Sequence, residues 1–186
     1  MSVREVYEEE LQKRGYQSDP AQLRAIEALE RCAKEWTAYK SKRSGLLAKF
    51  MSRPEIPKGV YMFGGVGRGK SFLMDCFFAA VPIERKTRLH FHEFMREVHR
   101  ELAVIQGTVN PLDELGKRMA KRYQLICFDE FHVADITDAM ILHRLLVALF
   151  DNGVGFVTTS NFEPDGLYPD GLHRDRILPA IALLNQ

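Results

Sequence analysis

The chain has 186 residues, enough for one full domain that buries roughly 70% of its unfolded surface, and its 26 basic and 25 acidic residues leave a net charge of +1. That balance gives no general pull toward nucleic acid or acidic lipid, so any such binding must come from a local patch. Cys32, Cys76 and Cys127 are odd in number, far apart and without a C-x-x-C pair, which argues against a disulfide framework or zinc ribbon and fits a reducing compartment.

The amino terminus, Met1 to Glu10, is too charged for a secretory signal, and no apolar run is long enough to span a bilayer; the sequence reads as cytosolic. Residues 2 to about 14 form a short charged helix, with Ser2 and Glu5 as a capping box. A second helix starts at Asp19, with Pro20 in its first position and Gln22 closing another box, and runs to about Lys40. Ile26, Leu29, Ala33 and Trp36 recur at helical spacing as one apolar stripe. Trp36 reads as core rather than as a platform for a base, and Gln22 is a candidate adenine contact. From Lys40 to Lys58 the chain carries Lys42, Arg43, Lys49 and Arg53 among Leu46, Leu47, Phe50, Pro54 and Pro57. This is a basic linker, with a nucleic-acid or anionic-lipid patch as the alternative. Residues 1–57 are thus an N-terminal helical extension and linker, and 58–186 the core.

Gly59 to Phe63 reads as a buried strand and Ser71 to Phe78 as the start of a buried helix. Between them Gly64-Gly65-Val66-Gly67-Arg68-Gly69-Lys70-Ser71 matches the phosphate-binding pattern G-x-x-x-x-G-K-[ST] in full. The glycines let backbone N–H groups turn inward onto phosphate oxygens, and the helix N-terminus adds its positive end. Lys70 then reaches the β- and γ-phosphates and Ser71 sets its hydroxyl on Mg²⁺, so Gly64 through Phe72 is the stretch assigned to ATP. Downstream come a strand over Arg88–His92, a helix from Glu93 to about Ile105, a turn at Gly107–Pro111 and a helix over Asp113–Arg122. The strand Gln124–Glu130, a helix from about Asp138 to Phe150 and the strand Val154–Ser160 complete the alternation. The architecture expected is an α/β parallel sheet flanked by helices.

Asp129 and Glu130 close an apolar strand, at the end where parallel sheets bind ligands. Asp129 is the Mg²⁺ carboxylate, and Glu130 orients and deprotonates the attacking water. Asn161, after the last strand, can donate to the γ-phosphate or hold that water. Arg174, ahead of Arg176, is the candidate finger into a neighbouring subunit, an effect worth roughly 10³ to 10⁵ in rate. His90, His92, His99 and His132 with Cys127 match no known metal-ligand spacing. His90 and His92 share one strand face, and His92 is placed to hold Glu130 in an inactive orientation.

The runs Tyr61–Ser71, His90–Met95 and Phe128–Leu142, followed by Thr159–Phe162, Leu167-Tyr168, Gly171–Arg174 and Ile177–Pro179, resemble the ZapE family of cell-division ATPases and its mitochondrial relatives. The resemblance implies a P-loop NTPase of AAA+ type. Lys70 and Ser71 then correspond to Walker A, Asp129 and Glu130 to Walker B, Asn161 to sensor 1 and Arg174 to the finger. It implies ATP and Mg²⁺ as cofactors, a homo-oligomer, and a protein partner such as the division-ring protein FtsZ, at the inner face of the membrane. It also implies that a fifth strand and a helical lid should follow Gln186, so the chain as given reads as truncated. Two further readings stay open: a nucleic-acid-linked ATPase such as a helicase loader, and a nucleotide-binding module without turnover.

Overall fold

The computed structural model describes residues 1–44, 55–64, 69–133 and 135–161. Its first helix, α1 (Val3–Arg14), starts where the Ser2 hydroxyl accepts the Glu5 N–H at 3.1 Å and donates to the Glu5 carboxylate. At α2 (Pro20–Ser44) only half of the expected box forms. Asp19 accepts the Ala21 N–H at 2.7 Å, but Gln22 turns away and takes the Tyr7 hydroxyl at 3.0 Å. Tyr7 is almost wholly buried, and a buried hydroxyl needs a partner more than a solvent-facing helix end does.

Four strands follow among the described residues: β1 (Val60–Phe63), β2 (Lys86–His90), β3 (Leu125–Asp129) and β4 (Gly155–Ser160). They form one parallel sheet in the order β1-β4-β3-β2. The helices between them are α3 (Lys70–Ala80), α4 (Phe91–Val104), α5 (Pro111–Arg122) and α6 (Ile136–Asp151). Each long connection from one parallel strand to the next passes over a face of the sheet, so both faces are covered and the two central strands, β3 and β4, are buried almost throughout. In β3 the alternation is visible in the two cores. Leu125 and Cys127 pack with α1, α2 and α3, while Ile126 and Phe128 pack with α4, α5 and α6. The N-terminal helices therefore share one hydrophobic cluster with Met74, Phe77, Val60 and Val157.

Trp36 lies in that cluster, 1% exposed, which settles it as core. It sits over Gly155, where a Cβ would come within 2.4 Å of the indole; the missing side chain makes room for the ring. The second strand ends two residues earlier than the sequence suggests. Phe91, Phe94, Met95 and Val98 are all buried at helical spacing, and this stripe draws Phe91 and His92 into α4. His90 and His92 are therefore not on one strand face: His90 ends β2 and His92 lies in the first turn of the helix.

Candidate phosphate and metal site

The carboxyl ends of β1, β4, β3 and β2 meet where the phosphate pattern lies. Gly64 leaves β1 with its N–H on the Ser160 carbonyl at 3.3 Å, so the loop starts pinned to the neighbouring strand. Gly69 re-enters as the residue ahead of α3 with φ 78°, the left-handed region that only glycine adopts freely. Lys70 opens the helix, and its Nζ donates to the Gly64 carbonyl at 2.8 Å, reaching back to the residue that follows β1. Gly65, Val66, Gly67 and Arg68 lie outside the described residues, as does Arg174. Phe72 is buried with Tyr7 at 5.8 Å and the Arg14 guanidinium at 4.9 Å from its ring. Its side chain thus serves the core beneath the helix.

Beside Lys70 a cavity of about 620 Å³ opens between the start of α2 and β1, lined by Gln22, Tyr61, Phe63, Gly64 and Leu73 among others. Gln22 reaches the helix start, since a Cβ on Gly69 would fall 2.7 Å from its amide nitrogen. Burial pushes the Tyr61 phenol up to about 12, against a hydrogen bond with Ser160.

Asp129 ends β3, with its side chain 13% exposed, and lies in register with His90. Both of its oxygens face Arg88: Nε donates to Oδ2 at 2.8 Å and Nη2 to Oδ1 at 3.3 Å. The same guanidinium donates through Nη1 to Asp75 and through Nη2 to the Ser71 carbonyl at 3.3 Å. Burial works against the Arg88 charge, but hydrogen bonds to Asp129 and Asp75 outweigh it and the net shift is upward. One nitrogen thus joins the Ser71 backbone carbonyl to Asp129, which ties the first turn of α3 to the end of β3, the two places where the residues predicted to hold Mg²⁺ lie. An oxygen-rich pair of this kind fits a hard divalent cation.

Glu130 behaves differently from its neighbour. Its φ is +55°, a conformation that costs a non-glycine residue energy, and its side chain is 70% exposed. The backbone is held there by β4: the Glu130 N–H bonds Thr159 Oγ1 at 3.1 Å, the Phe131 N–H bonds the Thr159 carbonyl at 2.7 Å, and Ser160 Oγ donates to the Phe131 carbonyl at 2.6 Å. The histidine that faces Glu130 is His90 rather than His92, with Nδ1 3.4 Å from Oε2. That contact lacks hydrogen-bond geometry. Asn161 follows β4 and is exposed at the same edge.

Sequence reasoning passed over Arg88 and Asp75, and weighed His90 only as a metal ligand and not as the neighbour of Glu130. A signal existed for the first: an arginine in a strand destined for burial needs a carboxylate partner, and Asp129 sits at the end of the adjacent strand.

The whole chain, residues 1–186, matches the AFG1-like ATPase family. It belongs to that family. Cell division protein ZapE of Escherichia coli K12 is 45% identical over 191 residues, covering 97% of this chain and 51% of the relative. The chain thus spans about half the length of that relative. Among solved structures, DnaI aligns at a TM-score of 0.54 with 18% identity, over 90% of this chain and 80% of DnaI. AMPPCP-bound DnaA from Aquifex aeolicus aligns at 0.52 with 15% identity, over 89% of this chain and 47% of DnaA. These likenesses show the fold, the parallel sheet of the P-loop NTPases flanked by helices.

Proposed function

We propose that this chain binds ATP with Mg²⁺ at the carboxyl edge of its sheet and hydrolyses it to remodel a protein partner. The observation that carries the reading is the junction of β1, the phosphate pattern and α3, with Lys70 at the helix start and one Arg88 nitrogen joining the Ser71 backbone carbonyl to Asp129. In this reading Lys70 leaves the Gly64 carbonyl for the β- and γ-phosphates, while Ser71 and Asp129 hold Mg²⁺. The cation supplies charge neutralisation on the phosphates when bound. Glu130 takes the proton of the attacking water, and its exposure leaves it free to turn toward that water. Asn161 holds the γ-phosphate or the water, and Arg174 of a neighbouring subunit completes the site in a homo-oligomer. The cavity beside Gln22 is of the size that small-ligand sites have, roughly 300–1,000 Å³, and gives the adenosine a place.

ZapE is a cell division protein by name, which supports a role in division; FtsZ as the partner and the cytoplasmic division site, at the membrane's inner face, as the location are the form of that role proposed for this chain. Steady-state ATPase rates against protein concentration, with Lys70→Ala as the blank, test the reading. A specific rate that rises with concentration is expected; a rate equal to the blank throughout, with ATP still bound, makes the chain a binding module without turnover. One observation favours a nucleic-acid-linked ATPase as second reading: six cations, Lys40, Arg43, Arg85, Lys117, Arg118 and Lys121, line a cavity at the opposite edge of the sheet. Oligonucleotide binding that weakens steeply with salt supports that reading, and co-sedimentation with FtsZ polymers supports the first.

A further inference from the structure

Both oxygens of Asp129 are engaged by the protein itself. The Arg88 fork covers both oxygens, and a planar guanidinium on a carboxylate is the most specific ion-pair geometry a protein builds. Both side chains are largely shielded, at 21% and 13% exposure, so salt and water weaken the pair little. A divalent ion set on the same oxygens meets a full positive charge at hydrogen-bond distance. The two cations therefore oppose each other at Asp129. Arg88 has other seats nearby, the Asp75 carboxylate and the Ser71 carbonyl, both on α3. Its guanidinium can give up Asp129 and remain paired.

We infer that Arg88 is the resident counter-ion of Asp129 in the nucleotide-free chain, and that a divalent cation binds at Asp129 in exchange for it. The inference rests on the proposed reading of Asp129 as the metal carboxylate. Arg88 is then a positioning residue: it keeps a shielded carboxylate paired and oriented while the site is empty, and it sets the Mg²⁺ concentration at which the site fills. On exchange the arginine moves its contacts toward the first turns of α3, the helix that carries Lys70 and Ser71. Cation binding and the phosphate-loop helix are coupled through one side chain.

Binding of a fluorescent ATP analogue as MgCl₂ is titrated reads this directly, with Arg88→Gln and Arg88→Lys beside the wild-type chain. Glutamine keeps a hydrogen-bonding amide but no charge; lysine keeps the charge and loses the fork. The half-saturating Mg²⁺ concentration should fall at least threefold in Arg88→Gln and by less in Arg88→Lys, while affinity for the analogue in EDTA changes little. The melting temperature should drop more for the nucleotide-free variant than for its Mg-ATP complex, a pattern that a purely structural ion pair would not give. If Arg88→Gln does not fold, Arg88→Lys carries the test. A half-saturating concentration that is unchanged or higher in the folded variants overturns the inference and leaves the proposed function standing. A wild-type chain that binds no analogue at any Mg²⁺ concentration overturns both.

Discussion

The two edges of the sheet are built by different means. At the carboxyl edge the groups that would meet a ligand are held by polar contacts: Lys70 on the Gly64 carbonyl, Arg88 on Asp129 and Asp75, and the backbone of Glu130 and Phe131 on Thr159. At the amino edge the strands are fixed by packing, as where Trp36 lies over Gly155. The cations around its cavity are looser. Among the described residues Arg43, Lys117 and Lys121 lie there without an ion pair, while Arg85 is spent on the Ala120 and Lys121 carbonyls at 2.8 and 3.1 Å. Placing charge to within hydrogen-bond tolerance is what a reaction requires, since small misplacements cost rate. A diffuse cluster supplies potential without geometry.

That contrast is open to attack by substitution at each edge. The largest effect belongs to Lys70→Ala, which should lower hydrolysis by roughly 10²-fold or more, because on the proposed reading it removes the cation that meets the developing charge. Steady-state rates at saturating Mg-ATP check it, with melting temperature nearly unchanged. Gly155→Ala should do the reverse. Its Cβ meets the Trp36 ring, and the displacement should cost about 1–3 kcal/mol in stability, read by urea denaturation, with ATP affinity kept. His90→Ala tests the softer side of the carboxyl edge. Even an exposed ion pair is worth only about 0.2–1 kcal/mol, and this contact lacks hydrogen-bond geometry, so releasing Glu130 should raise basal hydrolysis by at most about fivefold at unchanged KM. The smallest effect is expected from Lys117→Ala combined with Lys121→Ala: stability within about 0.5 kcal/mol and an ATPase rate within about twofold of wild type.

The sequence displayed one edge better than the other for a physical reason. A phosphate loop must be glycine-rich and must lie between a strand and a helix, so Gly64 to Ser71 announces itself through local spacing. The strand ending at Asp129 is legible for a similar reason, since an apolar run closing in acids marks the carboxyl edge of a parallel sheet. Arg88 signalled the need for a carboxylate, but which carboxylates would meet it was not legible. Its partners lie 13 and 41 positions away, and only the register of β2 on β3 brings them together. The exchange of His92 for His90 as the neighbour of Glu130 comes from an error of two residues in a strand end. A slip of that size moves a residue from a sheet edge into a helix turn. The Gln22 box failed because the buried Tyr7 hydroxyl claimed that side chain, a demand set by tertiary packing and invisible to the local pattern.

The central claim is that the carboxyl edge is a Mg-ATP site. Equilibrium binding of ATP to the wild-type chain and to Lys70→Ala, each with MgCl₂ and with EDTA, tests it most directly. The account expects saturable wild-type binding that tightens with Mg²⁺ and weakens at least tenfold in the variant. Equal binding by the two chains, or none by the wild type under either condition, would contradict it.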